Sequence, residues 1–114
     1  MSLVQPAVSD MLVTVKSREV QRAMLAEMGD RAEEAKQHLL AAGHLELVLA
    51  SDYELAGDDA LARRSRISAA SCFWRAGERE RAQTIFDSLA HAEPQQASEI
   101  QQVISDLQQD RSAS

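Results

Sequence analysis

Aromatic residues are scarce in this chain. They make up 4% of its 114 residues, which leaves little of the material from which strands of a sandwich or barrel are built. Glycine and proline are also few, at four and two, while alanine, leucine, glutamine, glutamate and arginine dominate. Those are helix formers with few interruptions between them, and they point to an all-α fold. A single cysteine, Cys72, excludes an internal disulfide framework and any multi-cysteine metal site; on a helix beside Phe73 it reads as a small buried or half-buried side chain. Positive charge is in deficit. Twelve Lys and Arg against eighteen Asp and Glu give a formal charge of −6, which argues against general nucleic-acid binding, since that needs a basic footprint. No apolar run approaches the ~20 residues of a membrane span, and no charged-then-apolar start suggests a secretory signal. These absences lead us to expect a soluble, cytoplasmic chain with one core-forming domain. The chain also reads as a piece of a longer protein, with Met1-Ser2-Leu3 as an expression scar.

What is present is clearest between Arg63 and Pro94. Small or apolar residues fall at Ala69, Ala70, Phe73 and Ala76, on one side of a helix. Gly77 follows, suited to a helix end because it takes the left-handed conformation without a Cβ clash. A second stripe runs Ala82, Ile85, Phe86, Leu89, and Pro94 closes the unit. The reading is a helical hairpin turning at Gly77. Ala70 and Ala82 leave room for close approach of the two backbones, and the rings of Phe73 and Phe86 fill the gap.

Ala70, Phe73, Gly77, Ala82, Phe86 and Pro94 resemble, in type and spacing, the small–aromatic–glycine–alanine–aromatic–proline pattern of a tetratricopeptide repeat (TPR), a helix–turn–helix unit of about 34 residues. The resemblance covers about a quarter of the chain. It departs from the pattern at Arg66, where the family has a large aromatic, and at Leu89, where it has a small residue. An ordinary antiparallel helix pair reaches the same spacing by packing alone. The resemblance implies antiparallel hairpins stacked as a short TPR-like right-handed superhelix, of about five helices.

The rest of the chain fits that count. Residues 1–8 read as a loose lead-in, 9–110 as a single α-helical TPR-like domain, and 111–114 as a frayed tail. Ser9 is a good N-cap for a helix from about Asp10 to Met28. The stretch Met11–Val15 suits a strand by type, but the chain offers it no partner strand. Gly29-Asp30 marks a turn. A long helix then runs to about Ala56, its period carrying through Gly43 at a cost of ~1 kcal/mol relative to alanine. Gly29, Ala35, Leu39 and Ala42 echo the hairpin pattern with one extra residue between glycine and alanine. Gly57-Asp58-Asp59 ends this helix and caps the next, expected over Asp58–Ala76, followed by Glu78–Ala92 and Gln95–Asp110. The last has Ala97, Ile100, Val103, Ile104 and Leu107 on one face and glutamines on the other, the polar-backed cap that repeat stacks require.

Charge is segregated. Residues 27–59 carry nine acids against Arg31 and Lys36, and residues 61–82 carry six arginines against Glu78 and Glu80. Either neighbouring helices pair these charges, at little gain for each exposed pair, or a basic face meets an acidic partner. In TPR-like hairpins the first helix also offers a stripe to a concave groove. Carried over, this gives Arg64, Ile67, Ser71 and Trp74, with Arg75 at the edge, as candidate partner-binding residues. Arginine and tryptophan are frequent interface anchors. The alternative is that Trp74 packs on the N-terminal helix and the arginines are solvated.

Chemistry has weaker signals. Glu34 and His38 share a helix face, and His44 and Glu46 lie further on, but zinc wants three protein ligands and a supporting shell; no metal or other cofactor is expected. Cys72 has no base partner in any nucleophile pattern, and no phosphate loop or G-x-S-x-G elbow is present, so no enzyme is expected. The function expected is a non-enzymatic protein–protein interaction module, a scaffold or adaptor whose groove takes a partner's peptide or helix, an acidic one being favoured by the arginines. The alternative is a structural element of a larger assembly that forms a homodimer through the N-terminal helix carrying Met11, Leu12, Met24 and Met28. No nucleic-acid partner and no membrane span are expected.

Overall fold

A computed structural model describes the backbone of residues 6–113 and the side chains of residues 8–110. Five α-helices follow one another: α1 (Pro6–Met28), α2 (Ala32–Leu55), α3 (Asp59–Arg75), α4 (Arg79–Ala92) and, after a 3₁₀ turn at Pro94–Gln96, α5 (Ala97–Ala113). Among the described residues there is no strand. Of the expected lead-in and tail, residues 1–5 and Ser114 lie outside the described residues. The cap expected at Ser9 is not made, because α1 is already under way there. Ser9 Oγ instead donates to Asp52 Oδ2 at 2.9 Å, tying the start of α1 to the far end of α2. Gly43 does not break α2, which runs through it as one helix.

The three tight turns share one geometry. At each, a residue with positive φ follows the helix end: Asp30 at 57°, Gly57 at 84°, Gly77 at 89°. The next residue's N–H reaches back to a carbonyl in the last helical turn, Arg31 to Ala26 at 2.8 Å, Asp58 to Tyr53 at 2.9 Å and Glu78 to Phe73 at 2.8 Å. This is the paired-bond helix terminator that normally selects glycine. The first hairpin therefore corrects the sequence reading. The left-handed position is held by Asp30 and not by Gly29. With Asp30 set against Gly77, Ala35 matches Ala82 and Leu39 matches Phe86 with no extra residue between, and Ala23 matches Ala70.

Packing follows the same order. α2 lies against α1 and α3, α3 against α2, α4 and α5, and α4 against α3 and α5. The molecule measures 43 × 33 × 17 Å, two helices deep. Side chains of α1, α3 and α5 meet along one layer, and those of α2 and α4 along the other, through Leu47, Ile85 and Leu89. The core is built on small residues: Ala69, Ala70 and Ala82 are wholly buried with the rings of Phe73 and Phe86, and Trp74, Ile100 and Ile104 complete the cluster. A smaller cluster of Ala23, Leu39 and Ala76 joins the first hairpin to the second. No helix among the described residues is long and apolar enough to cross a membrane.

Candidate functional site

The outward strip of α3, opposite its α2-facing residues Ala62, Ala69 and Phe73, divides two grooves. On the α1 side a groove of about 210 Å³ is lined by Val13 and Lys16 of α1, Glu46 and Tyr53 of α2, and Arg64 and Ser68 of α3. On the α5 side a shallower and wider groove, of about 620 Å³, runs from Ser71 to Val103, Leu107 and Asp110.

The five residues expected to form one partner-binding stripe are distributed across this strip. Arg64 lines the α1–α3 groove. Ser71 lines the α3–α5 groove, its hydroxyl bonded back to Ile67 O at 2.9 Å. Ile67 is half-buried against the main core. Arg75 spans to α1 and pairs with Glu27 at 2.9 Å. Trp74 is not on a groove wall: it is 6% exposed and packed with Ile100 and Ile104. The cluster that buries it draws on α4 and α5 and holds no described residue of the N-terminal helix. Its indole Nε1 has no hydrogen-bond partner among the described residues.

The arginine-rich stretch explains which of these side chains is available. Arg63 pairs with Glu99 at 2.9 Å, Arg66 pairs with Glu54, and Arg75 with Glu27. Arg79 lies over the Trp74 ring at 5.1 Å and Arg81 over the Phe73 ring at 4.1 Å. Arg64 alone of the six has no ion pair or ring contact among the described residues, and it is exposed. Across the groove, Lys16 Nζ stands 3.8 Å from Oε2 of Glu46, whose carboxylate is buried. Tyr53, at one end, has its phenol pushed above the usual range, first by burial and then by Glu46, Asp52, Asp10 and Asp58. The groove thus offers an exposed cation in Arg64, unpaired among the described residues, beside the Lys16–Glu46 pair, and acidic surroundings at Tyr53.

The sequence reading gives Glu46 only beside His44 among the metal candidates, and gives neither Lys16 nor Tyr53 as a candidate. A signal for two of them exists: Lys16 interrupts the inward stripe Leu12, Lys16, Glu19, Ala23, and Glu46 interrupts Ala42, Glu46, Leu49. A charge on an inward face needs a partner, and here each is the other's.

His38 Nδ1 meets Glu19 Oε2 at 2.5 Å, and its Nε2 lies 3.8 Å from Glu34. His44 lies edge-on to Phe73 with centroids 5.3 Å apart. Among the described residues no group of three or more such side chains converges to hold a metal ion. Cys72 is buried, and burial pushes its thiol up, with Arg75 pulling the other way, the reverse of what a nucleophile needs. Compared with protein-family models, with curated proteins and with solved structures, the chain finds no match.

Proposed function

We propose that this chain is a non-enzymatic protein–protein interaction module, a TPR-like stack whose groove between α1 and α3 receives an acidic segment of a partner protein. The observation that carries the reading is Arg64. Its neighbours in the arginine-rich stretch are consumed by in-chain pairs or ring contacts, and it is left exposed on a groove wall facing Lys16. A guanidinium gains most from a carboxylate that it can meet with two parallel hydrogen bonds. Val13 lines the same groove, and Met24 repeats its position three turns further along α1 with half its surface exposed. Methionine adapts to varied apolar partners.

The test is calorimetric titration with extended acidic peptides bearing one apolar residue. Arg64→Glu should weaken binding by at least about tenfold and Arg64→Lys by less. Arg18→Glu, a charge reversal on the far flank of α1, serves as control. Equal losses in Arg64→Glu and Arg18→Glu, or none in either, would remove the groove from consideration. A second reading, self-association, is favoured by a different observation, the apolar outer edge of the first hairpin.

A further inference from the structure

α5 closes one end of the stack. Its apolar side, Ile100 and Ile104 with Val103 and Leu107, packs onto the core, and its outer side carries Gln101, Gln102 and Gln109. Among the described residues the other end is not closed. On α1, Val8, Met11 and Val15 are 44%, 64% and 39% exposed, and on α2, Val48 and Leu55 are 48% and 45% exposed. Both stripes look the same way. The bonds Ser9–Asp52 and Lys16–Glu46 set α1 and α2 antiparallel with these stretches side by side. Val13 and Glu27 mark the flank of α1 that faces α3, and Gly43 and Glu54 mark that flank of α2; the apolar stripes lie on the opposite flanks.

The spacing on α1 identifies the shape that fits. Val8, Met11, Val15, Arg18, Arg22 and Leu25 alternate three and four apart, the seam of a helix that packs side by side with another helix. Their exposure leaves that seam without a mate among the described residues. We propose that the α1–α2 edge binds the same edge of a second copy of this chain, about a two-fold axis. A head-to-tail arrangement is disfavoured because the α5 end is polar. Edge to edge, each copy supplies what the other lacks. From Val8 to Met28, α1 is about 30 Å long, and two helices are about 20 Å wide, so the edge spans roughly 600 Å², close to the ~800 Å² per partner of a stable interface. The charged half of the edge carries both signs, Arg18 and Arg22 on α1 and Glu34 on α2, so a mate meets no single-sign field there despite the net charge of −6.

This proposal is independent of the α1–α3 groove. Sedimentation equilibrium of the full chain from about 1 to about 500 µM tests it. A reversible dimer is expected for the wild type and for Arg64→Glu. The double variant Met11→Glu/Val48→Glu should associate at least about tenfold more weakly, with its helical circular dichroism unchanged. Should that variant unfold, Met11→Lys alone is expected to weaken the dimer in the same way. A wild type that stays monomeric across the range overturns the proposal, as does a folded edge variant that dimerises like the wild type.

Discussion

A methyl group at Gly43 would sit 2.7 Å from Cε1 and 2.9 Å from Cζ of Phe73. That ring has nowhere to go: it is wholly buried, with Arg81 over its face and His44 at its edge. Alanine improves helix propensity by about 1 kcal/mol, but overpacking a closed core costs about 1–3 kcal/mol. Gly43→Ala is therefore expected to destabilise by up to about 2 kcal/mol in urea denaturation, the overpacking cost outweighing the propensity gain. Adding Phe73→Leu should recover part of the loss; a more stable Gly43→Ala would mean that the ring moves freely. Cys72 gives a residue-level prediction of another kind. Burial raises its thiol above the unfolded value, so the unfolded chain loses its proton first. That contribution to stability is whole below about pH 8.5 and is lost as pH rises toward the folded value, at no more than about 1.4 kcal/mol per pH unit. Tyr53 is shifted in the same direction and acts from about pH 10. Denaturation midpoints between pH 7 and pH 10.5 should fall from pH 8.5 in the wild type, and only from the tyrosine range in Cys72→Ala. Identical profiles would show that the thiol titrates alike in both states.

Elements are stopped and started here by three turns of one geometry, and only two carry the residue it favours. Ala56-Gly57 and Ala76-Gly77 place alanine at the helix end and glycine at positive φ, whereas Gly29-Asp30 reverses the arrangement. Aspartate tolerates the left-handed region better than most residues, yet at a cost, and Gly29 spends backbone entropy where its φ does not require glycine. A Cβ at Gly29 would meet the exposed Arg31 side chain, 3.3 Å away at Nε, which can move aside. Gly29→Ala/Asp30→Gly should stabilise the fold by about 1 kcal/mol, a rise of roughly 4–8 °C in Tm; a lower Tm would show that Asp30 contributes through contacts of its own. The same turn shows what the sequence made legible and what it hid. Periodicity and the glycine at Gly77 were enough to place the second hairpin, with Phe73 and Phe86 in its core. In the first hairpin an aspartate took the glycine's task, so the echo of the pattern was displaced by one residue. Arg64 enters the candidate stripe through the TPR resemblance, and in the fold it lines the α1–α3 groove. Trp74 belongs to the same stripe but is buried in the cluster shared with α4 and α5, and Lys16 reaches the groove only because α1 and α3 both line it. Both facts concern which helices are neighbours, and that is settled by packing beyond the reach of any local pattern.

Taken whole, the molecule is a row of neighbours in which each helix rests chiefly on those next to it in the chain. Stability in such a row is close to a sum of unit and nearest-neighbour terms, so its ends open without its middle. The middle is the most interlocked part, because Phe73 sits against Gly43 across the α2–α3 boundary. α5 holds to the row through Ile100 and Ile104, 3% and 6% exposed. Ile104→Ala at a chain-terminal helix should cost about 2 kcal/mol, and hydrogen exchange should register it as about thirtyfold faster exchange in α5, with the centres of α2 and α3 little changed. Acceleration of all helices together would show one cooperative unit and refute the nearest-neighbour account. At the opposite end the same measurement acquires a concentration axis. An α1 that rests chiefly on α2, with only the Arg75–Glu27 pair and the Ala23–Ala76 contact region reaching toward α3 among the described residues, should exchange quickly when dilute. If a second copy covers the Val8, Met11 and Val15 seam, amides of α1 slow as concentration rises by mass action, while those of α5, on the polar end, do not respond. Protection that rises equally at both ends would place the association elsewhere than on the open edge of the first hairpin.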